Sequence, residues 1–220
     1  MSKKKKKELT DAEKQMLMNF IHNKEKLGMF KDPVQLQKKE NLNKVPNTYG
    51  YYKWWTDETE FENLLAGFKS GVSFDEIKGN LELDENMYCV YVGISDSLRK
   101  RLKTHVGHDL YRSTLRRTLS CFSDEVIKAE EIINKGIDEF IGRFKVKYYE
   151  LTTDDYEWLR KIFQKESERQ ILEQIEELLI NEYLHILNID KNKYEKAGKN
   201  TEKIVSALTR MRKKEGMENA

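Results

Sequence analysis

The chain has 220 residues, 35% of them charged and 38% hydrophobic, with 40 Lys+Arg against 38 Asp+Glu for a net charge of +2. That length suits one domain with extensions or at most two small ones. Its 3 Trp, 11 Tyr and 9 Phe are more than a disordered chain carries, and the near-neutral total speaks at first against a strongly basic nucleic-acid binder.

The N-terminus opens on a lysine run at residues 3–7, a solvated tail by its composition, with no apolar core of signal-peptide length behind it. Thr10 to Glu13 reads as a capping box. Met16, Leu17, Phe20, Ile21 and Leu27 follow at helical spacing, which predicts an amphipathic helix running to Gly28. Its apolar stripe must cover either the main domain or a partner. After the turn Val45-Pro46-Asn47-Thr48, the aromatic run Tyr49 to Trp55 reads as a strand. Residues 57–70 read as a helix with Phe61, Leu64, Leu65 and Phe68 on one face. Tyr88 to Ile94 is the clearest strand. Asp96 or Ser97 caps a helix with Leu98, Leu102 and Val106 on its inner stripe. Residues 113–122 and 124–142 are helical in pattern, and Arg143 to Leu151 alternates as a third strand. Asp154 begins a long helical stretch to about Leu187, with a break expected near 164–168. A basic segment, 191–214, ends in a short helix near 201–213. The order predicts a small three-stranded sheet flanked by helices, an α+β arrangement.

Two cysteines cannot build a disulfide framework, and the scattered histidines form no paired zinc motif. No apolar run approaches the ~18 residues of a transmembrane helix. A reduced, cytoplasmic protein with no membrane partner is the expectation.

On the helix after Gly93, Arg101 and His105 fall at the border of the apolar stripe, one turn apart, because successive residues advance by about 100°. A lone Arg there would ordinarily be a snorkelling side chain. On the later helix, Glu176 falls inside the face made by Leu172, Ile175, Leu179 and Ile180, where an unpaired carboxylate is costly. Taken one at a time and without a motif, Tyr52 and Tyr91 read as strand core, Gly93 as a permissive turn residue, Cys89 as a small core residue, His105 and His108 as surface residues, and Trp54-Trp55 as packing for the insert in preference to a base-stacking platform.

Taken together, Gly50-Tyr51-Tyr52, Tyr91-Val92-Gly93, Arg101, His105, Glu176 and Asn188 resemble the GIY-YIG nuclease family. The run YVGISDSLRKRLKTH carries most of the likeness, and Glu176 with Leu179, Ile180 and Asn188 is similar to the segment that ends the family module. The resemblance covers roughly residues 45–190. Departures are the 39-residue spacing from Tyr52 to Tyr91, the absence of a proline shortly before Asn188, where His185 lies, and Ile94 where Lys or Ser is common.

The resemblance implies an antiparallel three-stranded sheet and a division into a basic tail with N-terminal helix (1–44), a nuclease domain (45–190) with a helical insert (57–87), and a basic C-terminal segment (191–220). It implies hydrolysis of DNA phosphodiester bonds with one Mg²⁺ or Mn²⁺. Glu176 would hold the metal and Arg101 would stabilise the phosphoryl charge. Tyr52 or Tyr91 would orient or deprotonate water, which for a phenol of ordinary pKa ~10 requires cationic surroundings. His105 would assist proton transfer or hold a phosphate, and Gly50, Gly93 and Asn188 would support the site.

The net charge is segregated: residues 94–120 sum to +5, 191–214 to +7 and 121–190 to −8. Arg99, Lys100, Lys103, Arg116 and Arg117 are the candidate nucleic-acid contacts, with duplex DNA the expected partner. An inactive nucleic-acid-binding protein on the same scaffold is the alternative. A protein-interaction module that buries the N-terminal helix and the insert on a partner is a third.

Overall fold

The computed structural model describes residues 8–107, 112–122, 130–163, 166–188 and 198–214. The lysine run at 3–7, His108 and residues 191–197 of the segment expected to be basic lie outside them.

Three strands expected from the sequence form an antiparallel sheet: β1 (Gly50–Thr56), β3 (Met87–Ser95) and β4 (Lys145–Glu150). A two-residue strand, β2 (Leu83–Asp84), adds a fourth at the β3 edge, giving the order β2-β3-β1-β4. β1 is therefore central, and all seven of its residues are buried. Tyr52 and Trp54 face one side; Tyr51, Lys53 and Trp55 face the other, as strand alternation requires.

One irregularity matters for the site. Trp54 pairs with Tyr91 but Trp55 pairs with Cys89, so Val90 is an extra residue in β3. This bulge lets both Val90 and Tyr91 join the cluster on the Tyr52 side, while Cys89 joins the other.

Helices cover both faces. On the Tyr52 face pack α4 (Glu58–Gly67), α5 (Phe74–Ile77), α6 (Leu98–Val106), α7 (Thr114–Ser120), α8 (Glu130–Arg143) and α11 (Gly198–Lys214). The insert thus belongs to the core: Phe61, Phe74 and Tyr88 meet edge to face at 5.2–5.8 Å. On the opposite face pack α1 (Asp11–Glu25), α9 (Thr153–Ile162) and α10 (Glu168–Glu182). The capping box of α1 forms as expected, with Thr10 accepting from Glu13 N and Glu13 accepting from Thr10 N. Leu17 and Ile21 are fully buried, so the α1 stripe covers this domain's own sheet. The long C-terminal stretch divides in two as expected. Its caps are Thr152 and Ser167, each in a capping box, where the sequence pointed to Asp154.

Two short helices, α2 (Pro33–Leu36) and α3 (Lys39–Leu42), precede β1, and α2 packs against α6 and α8. Trp54 and Trp55 are both buried, against His105 and Phe144 and against Phe30 respectively. Neither ring is available to stack on a base.

Candidate active site

β1 and β3 present Tyr52 and Tyr91 on one face, and α6 lays Arg101 and His105 against them. The α6 N-terminus is fixed by Ser97, whose hydroxyl accepts from Lys100 N. Further bonds from Leu98 N to Thr48 O and from Arg99 N to Pro46 O secure it. Leu98 and Leu102 are fully buried, and that anchoring sets the rotation that brings His105 wholly inside. The surface position that His105 suggests when taken alone is therefore corrected, and the 3.6-residue period that put it at the border of the apolar stripe carries it wholly inside, beneath the tyrosines.

The Tyr52 hydroxyl is the centre of the arrangement. Arg101 Nε donates to it at 3.1 Å, and His105 Nε2 lies 2.8 Å away. The Tyr91 ring stacks on Tyr52 with centroids 6.3 Å apart. Behind them, His105 Nδ1 lies 2.7 Å from Ser113 Oγ, which also accepts from Arg116 N at 3.0 Å. Arg101 Nη1 donates to Arg112 O.

Burial dominates the electrostatics. It pushes the Tyr52 phenol above its ordinary range even though Arg101 pulls the other way. It pushes Tyr91 up further, with Tyr52 adding to the rise. The expectation of cationic surroundings that lower a tyrosine pKa is thus not met: one guanidinium does not offset complete desolvation of a phenolate. Burial also drives His105 well below its ordinary value, with Arg101 and Arg116 repelling a proton there. At neutral pH the site holds neutral phenols, a neutral imidazole and a charged guanidinium.

Glu176 approaches from α10, half-buried between the buried Ile175 and the exposed Glu177. Its charge raises the pKa of both Tyr52 and Tyr91, so the carboxylate lies within electrostatic reach of both hydroxyls. A partly exposed carboxylate offers hard oxygen donors of the kind that Mg²⁺ or Mn²⁺ takes with water completing the shell. A second cluster, Glu82, Cys89 and His185, has its ligand atoms within 4.8 Å of one another. The Lys53 ammonium already sits 2.6 Å from Glu82 there, and thiol and imidazole suit a softer ion. That cluster fits Mg²⁺ poorly.

The supporting residues have specific tasks. Gly93 lies inside β3 opposite Tyr52, and a Cβ there would run into the Tyr52 hydroxyl and ring. Close approach, and not a strand-to-helix turn, is why glycine stands there. A Cβ on Gly50 would meet Tyr149 O and the Leu98 side chain. Asn188 clamps the β3 edge: its Nδ2 donates to Val92 O at 2.7 Å and its Oδ1 accepts from Val92 N at 2.8 Å. Those bonds hold the backbone between Tyr91 and Gly93.

The candidate nucleic-acid contacts divide. Lys100 and Lys103 are exposed. Arg99 is half-buried and donates to Val45 O and Asn43 O, both at 2.8 Å. Arg117 is half-buried and reaches Thr114 Oγ1. Arg116 is corrected: its side chain is completely buried, bonded to His105 O and paired with Asp138 at 2.8 Å. A buried, paired guanidinium holds α6 to α8 and does not meet a phosphate. Sequence reasoning missed Ser113 as the partner of His105, because eight residues and a loop separate them. It also missed Lys53, a fully buried lysine held by Glu25 and Glu82.

Among the described residues no helix is long and apolar enough to cross a membrane. No curated protein and no solved structure matches the chain significantly. The family model of the GIY-YIG catalytic domain matches residues 50–214, three quarters of the chain. With the motif tyrosines, Arg101, His105 and Glu176 gathered within that span, the chain belongs to the GIY-YIG family of endonucleases.

Proposed function

We propose that the chain is a metal-dependent endonuclease that hydrolyses phosphodiester bonds of duplex DNA at the Tyr52–Tyr91–Arg101–His105–Glu176 site. The observation that carries this reading is the convergence of Arg101 Nε and His105 Nε2 on one tyrosine hydroxyl. Glu176 is the candidate ligand of one Mg²⁺ or Mn²⁺, which when bound would polarise the phosphoryl group and stabilise the leaving oxygen.

The chain's own residues supply the rest. Arg101 can only donate, so it occupies a lone pair of the Tyr52 oxygen. Tyr52 O–H then points at His105 Nε2, and His105 Nδ1–H points at Ser113 Oγ. We assign the neutral imidazole to that tautomer. Water attacking phosphorus gives its proton to the Tyr52 oxygen while Tyr52 gives its own to His105. The two transfers are concerted, because burial makes a free phenolate and a lone imidazolium both costly. Arg101 offers its remaining donors to the charge that grows on the phosphoryl oxygens. A bound phosphate diester brings negative charge that favours the transient imidazolium.

The test is cleavage of plasmid DNA with Mg²⁺ or Mn²⁺ by the wild type beside Arg101→Ala and Glu176→Ala. Loss of nicking in both variants with DNA binding retained is expected; equal behaviour of all three proteins rejects the reading. The raised pKa of both tyrosines and Ile94 in place of a Lys or Ser favour a second reading, DNA binding without cleavage. It predicts salt-sensitive, metal-independent binding and intact plasmid.

A further inference from the structure

An open groove of about 800 Å³ runs between α2–α3 and α6. Lys39 stands on one wall and Lys100 and Lys103 on the other, with Leu36, Leu42 and Val106 forming apolar floor. All three lysines are exposed, and among the described residues none of them pairs with a carboxylate. Among the described residues no carboxylate lines the groove. Lys100 and Lys103 are three residues apart on a helix, so they share a face one turn apart. Arg101 lies on a different face, turned toward Tyr52.

The groove is a built feature and not a chance gap between helices. Arg99 spends Nε and Nη2 on the backbone oxygens of Val45 and Asn43, so its guanidinium ties the 43–45 segment to α6. Ser97 Oγ bonds Asn47, and Gln37 Nε2 donates to Val106 O at 3.3 Å at the far end. Both ends of α6 are thereby joined to the segment before β1. Three unpaired lysines held near one another repel. Such a concentration is stabilised by a polyanion that releases counterions on binding.

We propose that this groove holds the phosphate backbone of DNA to one side of the scissile bond, so that the 36–47 segment, which precedes the family-matched region, forms half of a phosphate track. The proposal rests on the nuclease reading. The same short helix carries the track on one face and the Arg101–His105 pair on another. A duplex engaged at Arg101 therefore has backbone within reach of the lysines.

The experiment measures binding of a fluorescent duplex, without divalent metal, across a salt series. It compares the wild type, the groove triple variant Lys39→Gln/Lys100→Gln/Lys103→Gln, and a control triple variant Lys26→Gln/Lys69→Gln/Lys161→Gln. The control removes the same charge from exposed lysines outside the groove. The groove variant is expected to lose roughly 2–3 units of the slope of log K against log salt, about 0.9 for each phosphate no longer neutralised, and at least about tenfold in affinity. The control should stay within about threefold of wild type. In single-turnover cleavage with Mg²⁺ the groove variant should need about tenfold more DNA than the wild type to reach half its maximal rate. Equal slopes for the two triple variants overturn the track while leaving the nuclease reading intact, since the wild type still cleaves. So does binding unchanged beside slower saturated cleavage. A wild type that neither binds nor cleaves removes both.

Discussion

The Tyr52 hydroxyl lies 2.8 Å from Nε2 of His105, inside a fully buried pair whose members belong to a strand and a helix 53 residues apart. If these two groups pass one proton, removing either should disable the same step. Tyr52→Phe and His105→Ala are each expected to slow cleavage by about 10²–10⁴. The double variant should be no slower than the worse single one, because groups that act as a unit lose their effect once. Single-turnover rates at saturating DNA check this; multiplicative losses would sink the relay. Tyr52→Phe also leaves the Arg101 Nε donor and the His105 Nε2 acceptor facing a buried ring, a cost of about 1–3 kcal/mol, so rates are compared at temperatures where each variant is folded.

Gly93 offers a sharper steric test. A methyl group there meets the hydroxyl end of Tyr52 first and its ring next. Gly93→Ala should therefore destabilise by about 1–3 kcal/mol, as overpacking does, and displace the hydroxyl from Arg101 and His105. Adding Tyr52→Phe removes the nearest atom, so the double variant should regain part of the lost melting temperature. Calorimetry of the four proteins gives the coupling. Additive losses would show that the glycine serves something other than the tyrosine.

These two sites mark how far the sequence could be read. Arg101 and His105 were legible because the 3.6-residue period fixes their angle to Leu98 and Leu102. The three strands were legible because each is a short apolar or alternating run. The bulge at Val90 was not, since an extra residue leaves no mark in an apolar run where either face can be buried. Arg116 looked like a solvated cation because its cost of burial is met by Asp138, 22 residues on, and by a backbone carbonyl. Lys53 was unreadable for the same reason: its partners Glu25 and Glu82 come from α1 and from the end of the insert. Period and propensity are local; compensation of a buried charge is not.

Lys53 also makes a stability prediction. Its ammonium, fully buried, lies 2.5 Å from Glu25 and 2.6 Å from Glu82. Lys53→Met removes one cation and leaves two carboxylates in a low-dielectric setting. A loss of about 3–5 kcal/mol is expected, as for any buried pair broken on one side. For a chain of this length that lowers the melting temperature by roughly 6–20 °C. Glu82→Gln in the Lys53→Met background should recover part of it. Thermal unfolding decides; a Lys53→Met protein as stable as the wild type would mean that the network contributes nothing net.

Acid sensitivity follows from the buried histidines and Glu82. Burial holds His105 and His185 below 6.5 in the folded chain, in the case of His185 against the pull of Glu82. Below pH 6.5 the unfolded chain binds protons at both positions that the folded chain refuses. Stability must then fall as pH drops through 6.5, by up to about 1.4 kcal/mol per pH unit for each histidine. Glu82 adds a lower window. Burial would raise its carboxyl, but Lys53 and His185 outweigh that and hold it at about 2. Its contribution is present above 4.5 and is lost between 4.5 and about 2. Glu25, raised chiefly by burial, works in the opposite direction and softens the loss. Denaturant midpoints measured from pH 8 to pH 4 should therefore decline from about 6.5 downward, steepening where the carboxylates begin to titrate. His185→Gln should shallow the upper part of that decline without touching the residues proposed for cleavage. A flat profile between pH 6.5 and 5 in the wild type would mean that both imidazoles are protonated in the folded chain, and a protonated His105 could not accept the Tyr52 proton.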